Sequence, residues 1–461
     1  MGHITVWACG DIDSAIAVCT QLRLLGCKAR VHDHHNQRTD KPMAWRWGPR
    51  IIVGDGEGVP RIDPTGASDL LVFGEASRTI IDLLGGRTTT RPPGLTPAVR
   101  TLTCRCDTGV LGPRHTHFPV DAPSINRDLV ERPRKWEIDA TENNGHPAVL
   151  RSLHSVICLF TPRGASLVAI LDRITRLWGV HRTDPTERAI NRAMSTATDH
   201  VPRAVQVVLG YSGGLTSSVS AYILKRAVGE RVMGCFVWTG LQPAMVSEGQ
   251  NQSGVEIRIA DARRRTVELL NGTTSVQERR RLLSRIFHDA CTATFPGAIL
   301  SQGATYDTLL RCNGKSVGDS PGNLAQPLEN LTREEVVLIA KHLKLKMVTS
   351  EGSAAGYADV IRGPFSRAAL ELCYSIDRTL NEMLAEATTP RPGVRVRPRF
   401  TLDVWEEYPR VTFGFEESED GVQWKRMRLR DAGLDMVVEA LRHDTRIHNL
   451  EVAYDVTKAL N

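Results

Sequence analysis

Val207–Val219 reads VVLGYSGGLTSSV and runs on into SAYILKRAV, Ser220–Val228. An apolar, β-branched segment, Val205–Leu209, leads straight into Ser212-Gly213-Gly214, and Ser217 and Ser218 open the helix that follows. A strand, a small-residue turn and a helix in that order form a cradle for a phosphate group. The two glycines let backbone N–H groups approach an anion, the hydroxyls add donors, and the helix N-terminus adds a partial positive charge.

Outward from this stretch, short apolar runs alternate with helical ones. Before it come ITVWACG, SAIAVCTQLRLLG, KARVHD, RIIVGDG, DLLVFGE and RTIIDLLGG. After it come RVMGCFVWTG, EIRIA, QERRRLLSRIFHDACTATF, AILSQG and TREEVVLIAKHLKL. Strands alternating with helices predict an α/β fold with parallel sheets covered on their faces. Polar, helix-compatible residues from Thr183 to Arg203 predict a linker helix, and the Pro/Arg-rich TTPRPGVRVRPR, Thr388–Arg399, predicts a joint. The expected division is 1–178, a linker at 179–204, a doubly wound parallel-sheet domain at 205–390 and a small α+β domain at 391–461.

The chain has 461 residues, 41% hydrophobic and 24% charged, which is the composition of a globular protein with several cores. No apolar run approaches the ~18 residues of a membrane span, and MGHITVWACGDIDS lacks the pattern of a signal peptide. Ten cysteines without framework spacing point to reduced thiols in a cytoplasmic protein. The charge of +6 is diffuse and carries no aromatic interleaving, which argues against nucleic acid. His32 with His34 in VHDHHN, and His115 with His117 in RHTHF, could each face one side of a strand. Neither pair has a third and fourth ligand at useful spacing, so no metal site is expected there.

The motifs together resemble a family. The chain is similar to GMP synthetase of the glutamine-hydrolysing, two-catalytic-domain kind, along essentially its whole length. The phosphate loop resembles that of the N-type ATP pyrophosphatases, and NGTTSVQERRRLLSRIF looks like the family's basic, substrate-side helix. LSQGATYD and QPLENLTREEV match two further family motifs, and the tail NLEVAYDVTKAL looks like the end of its dimerisation domain. The resemblance implies an amidotransferase-like domain at 1–178, an ATP pyrophosphatase domain at 205–390 and a homodimer formed through 391–461. It also implies ATP and Mg²⁺ as cofactors, a purine-like nucleotide as acceptor, and adenylation of a carbonyl oxygen followed by attack of ammonia.

Position by position, the chain departs from that pattern. The resemblance puts the amidotransferase nucleophile at Gly74, its base at Thr161 and the orienting acid at Arg163, so all three groups are lost and glutamine hydrolysis is not expected. For ATP and its pyrophosphate the loop offers Ser212, Gly213, Gly214, Thr216, Ser217 and Ser218, but the family has aspartate where Thr216 stands. Mg²⁺ is a hard cation that prefers a carboxylate anchor, so the threonine argues against it. A second family acid is replaced by Trp238, leaving Asp307 as the carboxylate able to help with metal. For the acceptor nucleotide the matching cations are Arg281, Arg285, Lys315 and Lys458. Two readings follow: a ligase that aminates with free ammonia or another amine, and an inactive paralogue that binds nucleotide or serves as a scaffold.

Overall fold

The computed structural model describes residues 3–33, 49–54, 69–74, 76–90, 99–105, 111, 117–121, 127–142, 147–153, 155–241, 253–311, 324–345, 356–387, 395–405, 409–418, 425–427, 436–441 and 451–454. It separates into two compact units, Met1–Ala189 and Ile190–Asn461, with the boundary inside the helix Pro185–His200.

In the first unit, β1 (Ile4–Cys9), α1 (Ile12–Leu24), β2 (Ala29–Asp33), β3 (Arg50–Gly54) and β4 (Leu70–Phe73) keep the expected alternation. Strand β1 runs parallel to β2 and β3, and β3 parallel to β4. Asp11 starts α1 by accepting a hydrogen bond from the Ser14 N–H at 2.9 Å. Then come α2 (Ala76–Leu83), β5 (Arg87–Thr90), β6 (Val99–Cys104), β7 (His117–Asp121), β8 (Arg127–Glu131), β9 (Glu137–Glu142), β10 (Pro147–Ser152) and β11 (Ser155–Cys158), closed by α3 (Gly164–Leu177). Strand β11 returns parallel to β4, but β10, β9, β6 and β7 continue antiparallel beyond it. The nine-stranded sheet is therefore mixed, while β5 and β8 pair separately. Only two residues separate β10 from β11, enough for a hairpin and too few for the helical crossover that parallel strands need.

The helix at the boundary is α4 (Pro185–His200), and the second unit continues with β12 (Val207–Gly210), α5 (Leu215–Val228), β13 (Val232–Trp238) and β14 (Ile257–Asp261). Next are α6 (Arg263–Leu270), α7 (Val276–Thr294), β15 (Ile299–Ser301), α8 (Tyr306–Arg311), β16 (Leu324–Ala325) and α9 (Arg333–His342). These five strands form a wholly parallel sheet in the order β14-β13-β12-β15-β16. Successive strands go one way from β12 and then the other, so the topological switch lies between β12 and β15, where open α/β sheets bind ligands. The inner strands β12 and β13 are largely buried, whereas β14 at the edge of the sheet is not.

The rest of the unit comprises α10 (Tyr357–Val360), β17 (Ile361–Arg362), α11 (Arg367–Ala387), β18 (Arg395–Asp403), β19 (Arg410–Ser418), β20 (Lys425–Met427) and β21 (Glu451–Tyr454). Strands β18 and β19 pair antiparallel along nine residues, and β21 lies parallel on β19. One hydrophobic cluster runs from Val208 and Cys235 through Leu370 and Ile376 to Phe413 and Leu441.

Candidate functional site

The glycine–serine loop Ser212–Ser218 occupies the carboxyl end of β12, at the switch point. Gly213 has φ +76°, a left-handed backbone that favours glycine, and this turns the chain from strand to helix. Ser217 Oγ donates to the Gly214 carbonyl at 2.9 Å and lies 3.2 Å from Ser212 Oγ, while Tyr211 OH meets Ser218 Oγ at 3.4 Å. Gly214 is the N-cap of α5 and supplies no side-chain cap, so the first N–H groups of this 14-residue helix face the loop without a side-chain acceptor. Across the switch, Gly303 packs on the first turn of α5, where a Cβ would come within 3.1 Å of Thr216 Cβ. Two hydroxyls here, Ser220 Oγ and Ser301 Oγ, are buried and have no hydrogen-bond partner among the described residues. Backbone donors, hydroxyls and a helix N-terminus suit a pyrophosphate group.

A metal is a different matter. Asp307 is buried, and its Oδ1 accepts from the Arg333 N–H at 3.1 Å, joining α8 to the start of α9. Among the described residues no group of three or more His, Cys, Asp or Glu side chains could hold a metal ion. Ser212, Thr216, Ser217 and Ser218 all carry hydroxyls, so the loop's own side chains offer a divalent cation no carboxylate. Of the two histidine pairs, the His32 ring packs against Trp7 at 4.0 Å and His117 Nδ1 faces Thr103 Oγ1, while His34, His35 and His115 lie outside the described residues.

The basic helix α7 divides its arginines among three tasks. Arg279 is completely buried, and its guanidinium donates to the carbonyls of Ala358 (2.9 Å), Ile361 (2.6 Å), Thr273 and Thr274 (3.1 Å each) and Gly363. It fastens α7 to the chain around β17, and burial lowers its pKa from the usual arginine value. Arg280 pairs with Asp359 at 3.0 Å. Arg281 and Arg285 are exposed, and only Arg285 reaches a cleft between α6, α7 and α11. Lys315 and Lys458 lie outside the described residues.

Two features of this end of the sheet escaped the sequence reading. The Arg263 guanidinium stacks 4.0 Å from the Trp238 ring, and Arg263 holds the Asp261 carboxyl down to about 2 through forked hydrogen bonds. A cation one strand away from an exposed indole is invisible until β13 and β14 are placed in register. Arg279 did leave a signal, since its spacing to Leu283 and Ile286 puts it on the buried face of the helix.

In the first unit, β4 turns into α2 through Gly74, which has φ +73°. A Cβ at Gly74 would stand 2.6 Å from Thr161 Oγ1, so the fold brings these two positions together, and Arg163 is exposed at the N-cap of α3. The geometry of a sharp nucleophile turn is present without a nucleophile on it. Cys158, in the parallel register opposite Phe73, is no substitute: complete burial and the nearby Asp139 carboxylate push its thiol pKa up.

Similarity to known proteins agrees with these motifs. The chain is 26% identical to the GMP synthase (glutamine-hydrolyzing) of Pyrobaculum aerophilum over 293 residues, covering 56% of this chain and 57% of that one. The chain is a divergent GMP-synthetase-like protein. It is also 24% identical over 243 residues to the GMP synthase of a Synechococcus species, covering 50% of this chain and 43% of the relative. With the GMP synthase of Shewanella amazonensis it shares 29% over 165 residues, 30% of this chain and 31% of the relative. The chain thus spans about half the length of the first two GMP synthases it matches, 57% and 43%. No protein-family model matches it.

Proposed function

We propose that the second unit is a GMP-synthetase-like ATP-binding ligase domain that adenylates a carbonyl oxygen of a purine-like nucleotide and aminates it with free ammonia or another amine. One observation supports this above the others: an uncapped 14-residue helix meets a glycine turn at the switch point of a parallel sheet. The N–H groups at the start of α5 and the loop hydroxyls would hold the β- and γ-phosphates while the acceptor oxygen attacks the α-phosphorus. The bond from that phosphorus to the bridging oxygen breaks and pyrophosphate leaves with its charge on the loop donors. The amine then displaces AMP from the activated carbon. The three-domain division with a dimerising segment at 391–461 belongs to this reading, as does a first unit that does not hydrolyse glutamine.

A second reading, nucleotide binding without turnover, draws on Thr216 and Trp238 standing where the family keeps acids. Exchange of labelled pyrophosphate into ATP, run across a panel of purine nucleotides with and without Mg²⁺, decides between them. Exchange supports the ligase. ATP binding by calorimetry without exchange supports the second reading, and no ATP binding at all rules out both.

A further inference from the structure

Two thiols of the second unit meet inside its core. Cys235, in the middle of β13, and Cys291, in the last turn of α7, are both buried and belong to one hydrophobic cluster, and α7 packs directly on β13. Both are free thiols, and their sulfurs are in hydrogen-bond contact. The Thr294 hydroxyl, one turn on from Cys291, also bonds the Cys235 sulfur. Thr294 closes α7 and is only half-buried, with exposed Thr292 and Ala293 beside it, so the thiol pair lies one layer beneath the surface.

Contact with Cys291 and Thr294 sets Cys235 apart from three other buried thiols. Burial pushes the thiols of Cys27, Cys158 and Cys373 up, which keeps them protonated and unreactive. Cys235 moves the other way, because the Cys291 thiol donates a hydrogen bond to its sulfur and the Thr294 hydroxyl adds a second, which together outweigh burial. Cys291 is raised in turn, since it holds the proton of that hydrogen bond. One sulfur is thus a nucleophile, and its neighbour stands ready to bond to it. Helix ends fray, and fraying of the last turn of α7 admits a small oxidant to the pair.

We propose that Cys235 and Cys291 form a reversible disulfide when the protein meets a peroxide, tying β13 to the end of α7. The Cys235 sulfur attacks one peroxide oxygen: an S–O bond forms, the O–O bond breaks, and the departing hydroxide takes a proton to become water. The Cys291 sulfur then attacks the Cys235 sulfur: the S–S bond forms, the S–O bond breaks, and hydroxide leaves with the Cys291 proton as a second water. The two sulfurs lose two electrons, which the peroxide gains. This chemistry needs only these residues and a peroxide, whether or not the loop after β12 binds ATP. Mass spectrometry tests it on the full chain, treated with hydrogen peroxide while folded, blocked with iodoacetamide and digested without reductant. A linked Cys235–Cys291 peptide is expected, absent after dithiothreitol, with Cys235 oxidised at least about tenfold faster than Cys158 or Cys373. Cys291→Ser and the more apolar Cys291→Ala should each abolish the link and leave Cys235 as a sulfenic acid that dimedone traps. The melting transition of the second unit should rise by about 5 °C or more on oxidation and return on reduction, because a cross-link constrains the unfolded chain. No linked peptide from folded protein, a link formed only in urea, Cys235 reacting no faster than Cys158, or a melting transition unmoved by oxidation each overturns the proposal.

Discussion

At the residue scale, Thr216 is the position where the loop departs furthest from the chemistry its neighbours imply. Its side chain sits at the first turn of α5 beside Gly303, within reach of the switch point but neutral. Thr216→Asp places a hard oxygen anion there. The expected outcome is ATP binding that becomes Mg²⁺-dependent and at least about tenfold tighter, read by calorimetry with and without chelator. Unchanged binding would mean that the missing acid is not what limits the site. Arg279 makes the opposite point, since a strongly basic residue in a basic helix serves the fold. Arg279→Met strands buried carbonyls of residues 358–363, so a loss of about 3–5 kcal/mol is expected, the scale of removing one partner from a buried charged network. Arg279→Lys recovers little of it, because one ammonium cannot span carbonyls on both sides. Thermal unfolding of the two variants checks both statements.

At the element scale, the Gly74 turn between β4 and α2 is a left-handed turn facing Thr161 that carries no side chain of its own. Gly74→Cys alone should give no glutaminase activity and a lower melting temperature. A left-handed backbone costs a non-glycine residue about 1–2 kcal/mol, and the new Cβ would crowd Thr161 Oγ1 at 2.6 Å. Measurable glutamine hydrolysis by that single variant would overturn the reading of the turn. Helix α11 carries a titrating group of its own. Asp377 accepts from Tyr357 OH at 2.9 Å, and burial raises its pKa above the ordinary aspartate value despite that hydrogen bond. A carboxyl whose folded pKa is raised holds its proton longer in the native state than in the unfolded chain. Stability then falls as pH rises from the unfolded value near 3.8 to the raised folded value. Asp377→Asn should remove that decline, so melting curves of the two proteins converge toward acid and separate across the window. Parallel curves would show that Asp377 is not the group responsible.

At the scale of the whole molecule, two compact units imply two unfolding transitions, and a ligand of the phosphate loop should stabilise one of them. Saturation at 100 times Kd contributes about 2.7 kcal/mol to the binding unit alone. Scanning calorimetry with excess ATP should therefore raise the transition of the second unit and leave that of the first in place; equal shifts in both would contradict the placement of the site. Much of this architecture is legible in the sequence because it rests on local pattern. β-branched runs bounded by small residues specify β1, β12 and β13, and Ser212–Ser218 carries its turn and its helix start in its own composition. The antiparallel half of the nine-stranded sheet was not legible, since strand direction depends on which partner each strand meets. The fate of α7 illustrates the boundary between the two: a row of arginines is visible at once, but burial of Arg279, pairing of Arg280 and exposure of Arg285 toward a cleft follow from where β17, α6 and α11 pack. Sequence alone determined the glycine turn and helix start of Ser212–Ser218, because these are properties of adjacent residues. Tertiary structure decided that Asp307 accepts the Arg333 N–H at the start of α9, that Gly74 and Thr161 meet, and that five arginines gather above an apolar wall, because those depend on contacts between segments far apart in the chain.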